Sequence, residues 1–181
     1  MRKDAFPVLG TEHCRLVEPV AEHAPLLLEI FGDEETVRYQ QSPPLPDLEA
    51  CRRRLYAWRS DFGTGKGVHW VVLHEQEPVG VFALHYMSQA HRRAELGCYL
   101  RRSAWGRGLG LELTREVLRY AFKELGLHRV ELRCDPRNGA SMAVAQRLGM
   151  TFEGILRDFV FVEGRGFVDE AVHALLASEF R

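Results

Sequence analysis

The sequence predicts one α/β domain of the α+β kind, a mixed and mostly antiparallel sheet flanked by helices, and three observations carry that prediction. Of 181 residues 46% are hydrophobic, enough for one core and too few for two comfortable ones, so residues 1–181 are read as a single domain. Apolar residues switch along the chain between helical spacing and alternation or short continuous runs. A helix-length crossover follows the glycine-rich turn WGRGLG, Trp105 to Gly110, and calls for one parallel strand pair.

The elements follow in order. HCRLVEP, from His13, alternates weakly like an edge strand, and AEHAPLLLEIFG has helical apolar spacing that ends near Gly32. A proline-rich loop, Ser42 to Pro46, leads into a helix with Asp47 as its cap. WVVLH and VGVFALHYM, joined by Glu75 to Pro78, are nearly continuous apolar runs and predict strands covered on both faces. RRAELGCYL makes a third strand. The helix after the glycines runs to about Leu125 and presents Leu109, Leu113, Val117, Ala121 and Leu125 as one stripe for packing on the sheet. HRVELRC is a strand, DPRNG a turn, and SMAVAQRLG a helix closed by Gly149. ILRDFVFV and GFVDEAVHALL then flank the tight EGRG turn as a final hairpin.

Composition narrows the function. A formal net charge of -1 provides no global field for nucleic acid, so none is expected as a partner. MRKDAFPVLG lacks an apolar signal core and no run of 18 apolar residues occurs, which predicts a cytoplasmic protein with no membrane partner. Cys14, Cys51, Cys98 and Cys134 are far apart and are read as reduced thiols. The eight histidines show neither H-E-x-x-H nor Cys/His clustering, so no metal is expected.

The WGRGLG junction is the segment richest in chemistry. Unpaired N–H groups and the macrodipole at a helix start attract phosphate, and glycines let a ligand approach the backbone. The dinucleotide fingerprint fails here, because its third glycine falls on Leu113 counted from Gly108 and on Leu111 counted from Gly106. GTGKG is no P-loop, with Ser60 and Gly67 in the places of its first glycine and its Ser/Thr. GASMA lies between a strand and a helix like a nucleophile elbow, yet ends on Ala143 and follows the DPRN insertion.

With these motifs in view, WGRGLGLELTREVLRYAF followed by LHRVELRCDPRNGASMAVAQRLGMTFEGILRDFVFVEGRGFVDEAVHALL resembles the GCN5-related N-acetyltransferases (GNAT), in the branch of ribosomal-protein N-terminal acetyltransferases related to RimJ and RimL. The resemblance covers nearly the whole chain. It implies acetyl-CoA as co-substrate, with its pyrophosphate cradled by Trp105, Gly106, Arg107, Gly108, Leu109 and Gly110. Trp105 stands where the broad family prefers Gln or Arg. It implies further that the central parallel strands splay to admit the pantetheine, with backbone groups around Tyr99 and Leu100 bonding it, and that Asn138 contacts the cofactor or else caps its helix. The acid tyrosine common in the family falls on Ala145 and is missing. The branch implies Ser141 in its place, as an acid or as a group that only orients the sulfur.

Acetyl transfer to an amine needs a positioned thioester and a neutral amine. Glu95 is the candidate base: at period two it shares a strand face with Gly97 and Tyr99, just before the expected splay, and its alternative role is to pair with Arg92, Arg93 or Arg133. Candidates for the acceptor groove are Tyr39 with the QQSPPLP loop, His85 and Tyr86, and Arg157, Asp158 and Phe161. A peptide α-amine, with a pKa of about 7.7–8.0 against about 10.4 for lysine, is the easier acceptor for a carboxylate base. That favours a protein N-terminus such as a ribosomal protein's, with polyamines, amino acids and antibiotics as alternatives. A homodimer is left open, as is a non-catalytic acetyl-CoA sensor.

Overall fold

The computed structural model describes residues 5–40 and 43–181, so Ser42 of the expected proline-rich loop lies outside it. The described residues form one eight-stranded sheet: β1 (Leu9–Gly10), β2 (Cys14–Val17), β3 (Val68–His74), β4 (Glu77–Ser88), β5 (Arg93–Leu100), β6 (Arg129–Cys134), β7 (Thr151–Val162) and β8 (Gly166–Leu176). Their order is β1-β2-β3-β4-β5-β6-β8-β7, and every neighbouring pair is antiparallel except β5 and β6. Helices α1 (Ala24–Gly32), α2 (Leu48–Thr64), α3 (Leu109–Arg119) and α4 (Gly139–Arg147) complete the domain. Among the described residues no helix is long and apolar enough to cross a membrane.

Local chemistry accounts for the element ends. Asp47 caps α2 by accepting from the Ala50 N–H at 2.7 Å, and Gly65, at φ 74°, ends it. The stripe on α3 is buried at Leu109, Leu113, Val117 and Ala121, and the helix continues through a π turn, Tyr120–Glu124. Asn138 is the cap of α4, its Oδ1 accepting from the Ser141 N–H at 3.2 Å, so the helix starts at Gly139, earlier than apolar spacing suggests. β2 is not the edge strand, because the short β1 pairs outside it. β7 begins at Thr151 and is the opposite edge, nearly all of it exposed.

Two apolar layers clamp the sheet. Trp70, Phe82, Leu96 and Leu132 pack with Leu113 and Val117 of α3, whereas Val71 and Val81 pack with Leu27, Ile30 and Phe31 of α1 and Leu55 and Trp58 of α2. Residues paired across strands share a face, so Glu95 of β5, Glu131 of β6 and Ala174 of β8 stand on one side. There the sheet carries a cavity of about 290 Å³ lined by Tyr86, Arg93, Glu95, Arg133, Phe159 and Glu170 among others. The double coverage expected of VGVFALHYM thus holds only for the first part of β4, and the half of the strand near Tyr86 opens on the cavity.

Candidate active site

The parallel pair separates where the site begins. β5 and β6 are in register from Arg93 with Arg129 to Leu96 with Leu132, while β5 stays on β4 as far as Leu100 with Gly80. Gly97 to Leu100 therefore have no strand partner on the β6 side. The Arg101 N–H donates to the Val79 carbonyl at 2.9 Å, and antiparallel alternation from that bond turns the main-chain groups of Tyr99 toward β4 and those of Cys98 and Leu100 toward the gap. The Leu100 carbonyl accepts from the Trp105 indole at 2.7 Å. Tyr99 is anchored by its ring, edge-on to Phe31 at 5.0 Å, and burial pushes its hydroxyl up to about 12.

The glycine turn leads from this gap into α3. Gly106 and Gly108 have φ of 71° and 79°, a backbone that a Cβ would strain, and a Cβ at either would meet no protein atom within 4 Å. No side chain caps α3; the Leu111 N–H turns back to the Gly108 carbonyl at 3.1 Å, which leaves the N–H groups of Leu109 and Gly110 for a ligand. Arg107 Nη2 meets His74 Nε2 at 2.9 Å, and the His74 ring is held by the His13 carbonyl, also at 2.9 Å. Glu112 in the first turn binds the His13 main-chain N–H at 3.1 Å and ring Nδ1 at 2.9 Å, and this hydrogen bond raises the His13 pKa. Leu109 points into the core, and Gly110, whose carbonyl accepts from Thr114, stands near Leu100. An open, uncapped helix start beside an unpaired strand edge fits the pyrophosphate and the amide-bearing arm of acetyl-CoA.

At the other end of the gap stands Glu95. Its Oε1 lies 3.3 Å from His85 Nε2 and its Oε2 lies 3.6 Å from Arg133 Nε, so it both faces the cavity and is paired. Of the arginine partners expected for it, Arg133 is the one present. Arg133 also reaches Glu131 at 2.8 Å and Glu170 at 3.4 Å, and its guanidinium lies 5.8 Å from the Phe159 ring centre. Burial would raise the Glu131 pKa, but its bonds to Arg129 and Arg133 outweigh burial and hold it below the usual range.

The remaining expected site residues divide. Tyr86, at φ 49° and 78% exposed, lines the cavity beside His85. Tyr39 lies between Arg38 and Gln40, whose carbonyls accept from the Arg165 guanidinium at the tip of the β7–β8 hairpin. Phe161 pairs with Phe167, on the sheet face opposite Glu170, so the hairpin's aromatic in the cavity is Phe159 instead. Between Leu156 and Val160 β7 carries a bulge, with Asp158 at φ 48°; four steps on β7 face two on β8, so the alternation resumes in phase at Val160 and Phe159 is re-aimed within the bulge itself. Arg157 and Asp158 are exposed on that bulge. Ser141 stands in the first turn of α4 with no hydrogen bond from its hydroxyl to another described residue, and Asn138 spends its Oδ1 as cap. Ala145 is fully buried, so that helix position points into the core rather than the gap. Glu131, Glu170, Phe159 and Arg165 escaped sequence reasoning.

Together the uncapped helix, the separated strands and the carboxylate beside them define the class, an enzyme that moves an acyl group from a coenzyme A thioester. A family model described as an acetyltransferase (GNAT) domain matches residues 13–151, and the chain belongs to that family. It is 29% identical to N-acetyltransferase p20 of Bacillus licheniformis over 95% of this chain and 97% of that protein. It is 32% identical over 68% of this chain to YdaF of Bacillus subtilis (67% of that protein), whose name assigns it provisionally as a ribosomal N-acetyltransferase. An acetyltransferase structure from T. thermophilus superposes with a TM-score of 0.84 at 30% identity, covering 97% of this chain and 92% of that one. The chain is accordingly an acetyl-CoA-dependent N-acetyltransferase of GNAT type.

Proposed function

We propose that this enzyme acetylates the α-amine of a protein or peptide N-terminus, with Glu95 as the base. The observation that carries the reading is the position of Glu95: it stands on the last paired stretch of β5, two residues before the unpaired edge, facing the cavity. When bound, acetyl-CoA supplies the thioester. The N–H groups of Leu109 and Gly110 at the start of α3 would hold the pyrophosphate, the main chain of Cys98 and the N–H of Leu100 would align the arm, and Trp105 fixes the turn through the Leu100 carbonyl. Positioning of this kind is worth about 7–11 kcal/mol, against about 3–5 kcal/mol for acid–base help. Glu95 removes the ammonium proton, and Ser141 orients the departing sulfur.

An open cavity with an exposed aromatic, Tyr86, in its wall suits a chain end entering from solvent, and the name of YdaF points the same way. The test is an acceptor panel of peptides with varied first residues, polyamines and amino acids, assayed against pH. An α-amine acceptor gives kcat/KM that levels off near pH 8, about the amine's own pKa, whereas a lysine-like amine keeps gaining toward about pH 10. The buried Ala145 in the tyrosine position favours one second reading, a sensor that binds acetyl-CoA without turnover. Calorimetric binding with no transfer to any amine in the panel would establish it.

A further inference from the structure

His85 has a setting that groove lining does not explain. It lies directly across the β4–β5 ladder from Glu95, with Nε2 at 3.3 Å from Oε1. That Nε2 is enclosed and has no aligned hydrogen-bond partner among the described residues. The strand beside the ring carries Gly97, whose Cβ position lies 3.4 Å from Cε1 and 3.5 Å from Nε2, so the imidazole packs directly against that strand. Tyr86 stacks on it at 4.8 Å and 26°, and a bulge of β4 just beyond His85 turns Tyr86 outward. Behind it the His69 ring stands edge-on at 6.5 Å, itself stacked on Trp58 at 4.9 Å and facing Asp61 at 3.4 Å. The charged and titratable groups around His85 are thus Glu95 from β5, with Arg133 from β6 on its other oxygen, Tyr86 from β4, His69 from β3, and Asp61 from α2 behind His69.

We propose that His85 is a positioning residue that draws the substrate proton off Glu95 and so returns the base to its ionised form. The inference rests on Glu95 being the base. An ammonium N–H bond breaks as a Glu95 O–H forms; that O–H breaks as the His85 Nε2–H forms, and, because Nε2 is enclosed while the ring is partly exposed, the imidazolium gives its Nδ1 proton to solvent. The amine's second proton leaves with the thiol, so the sum is one acetyl transferred and one proton released. His69 is unsuited to this task, because burial, with His85 and Arg54 nearby, lowers its pKa to about 3 and keeps it neutral. Arg133 holds the other Glu95 oxygen and leaves Oε1 for the exchange.

The experiment is a kinetic cycle of His85→Gln, Glu95→Gln and the double variant, with acetyl-CoA affinity by calorimetry and melting temperature measured beside it. His85→Gln should lower kcat about 10²-fold, with folding and acetyl-CoA affinity unchanged, and should cost almost nothing further once Glu95 is Gln. Added imidazole should restore part of the activity of His85→Ala and none to Glu95→Gln. If Glu95→Gln is harmless, the base assignment falls and this inference with it. Should Glu95→Gln be damaging while His85→Gln keeps full kcat, adds its whole cost in the double variant, or is deaf to imidazole, the relay alone is overturned.

Discussion

The two halves of the site are built differently. The cofactor half comes from one contiguous run, Gly97 to Gly110, where a strand loses its partner, turns through two left-handed glycines and starts an uncapped helix. The acceptor half is assembled from Tyr86, Glu95, Arg133, Phe159 and Glu170, which lie on five strands. The first is local backbone geometry and, on the proposed function, would serve any acyl acceptor; the second depends on tertiary register and would set which amine is used. Variants should therefore separate into those that harm every acceptor alike and those whose effect depends on the acceptor.

The largest effect is expected at Glu95, where the halves meet. Glu95→Gln should lower kcat by about 10²–10⁴ for all amines with acetyl-CoA affinity nearly intact. Steady-state kinetics and calorimetry check this, and a loss confined to one acceptor would move Glu95 from chemistry to recognition. Next comes Gly108, at φ 79°. Asn tolerates that backbone better than other side chains, so Gly108→Asn should fold, yet its side chain occupies the space before the helix start. Acetyl-CoA affinity should fall about tenfold or more, equally for every acceptor. Unchanged affinity in the folded variant would remove the phosphate cradle.

Histidines separate the halves through stability. At the start of α3, the Glu112 bond raises the His13 pKa, so its contribution is fully present below the unfolded pKa and is lost as pH rises through the folded one. Beneath the acceptor cavity the sign reverses. Burial holds His69 at about 3, against 6.5 unfolded, so its contribution is present above about pH 6.5 and drains away as pH falls toward 3. The limiting slope is about 1.4 kcal/mol per pH unit. Urea unfolding at pH 7 and pH 5 should show His69→Gln losing less stability across that interval than the wild type, and equal losses would contradict the assignment.

Arg165 tests whether the Tyr39 segment belongs to the acceptor half. It ties the hairpin tip to the carbonyls of Arg38 and Gln40 on either side of Tyr39. Arg165→Ala should raise KM for peptide acceptors several-fold, roughly the worth of one or two hydrogen bonds, while sparing small amines and acetyl-CoA. An equal change for all acceptors would place Arg165 in the scaffold.

The same division explains what could be read before the fold was seen. The α3 stripe, the Asp47 cap and the glycine turn are each encoded in one short contiguous segment, and the single parallel crossover follows from the helix that the turn leads into; all stand in the structure. Glu95 was legible because period two ties it to Gly97. The resemblance pointed to backbone groups around Tyr99 and Leu100, and the bond from Arg101 to Val79 turns those of Leu100 and Cys98 to the gap and those of Tyr99 to β4. Phe161 was named for its place before the last hairpin, whereas the Asp158 bulge brings Phe159 to the cavity, and Arg165 acts on residues more than a hundred positions away, which no local pattern records.

The smallest effect is expected at Ser141. Its N–H belongs to the cap of α4, bonded to Asn138 Oδ1 at 3.2 Å, and that bond survives replacement of the side chain. Only the hydroxyl is lost in Ser141→Ala, so the helix start and the fold should persist. A thiol with a pKa near 8.5 departs as thiolate with little assistance, which leaves an orienting hydroxyl little barrier to remove. The variant should lose kcat by no more than about tenfold, with KM for the amine unchanged, and far less than Glu95→Gln. The order of the two losses at saturating substrates is the measurement. If Ser141→Ala proves the more damaging, departure of the thiol limits the reaction, and the weight of catalysis shifts from the carboxylate in the acceptor half to the first turn of α4.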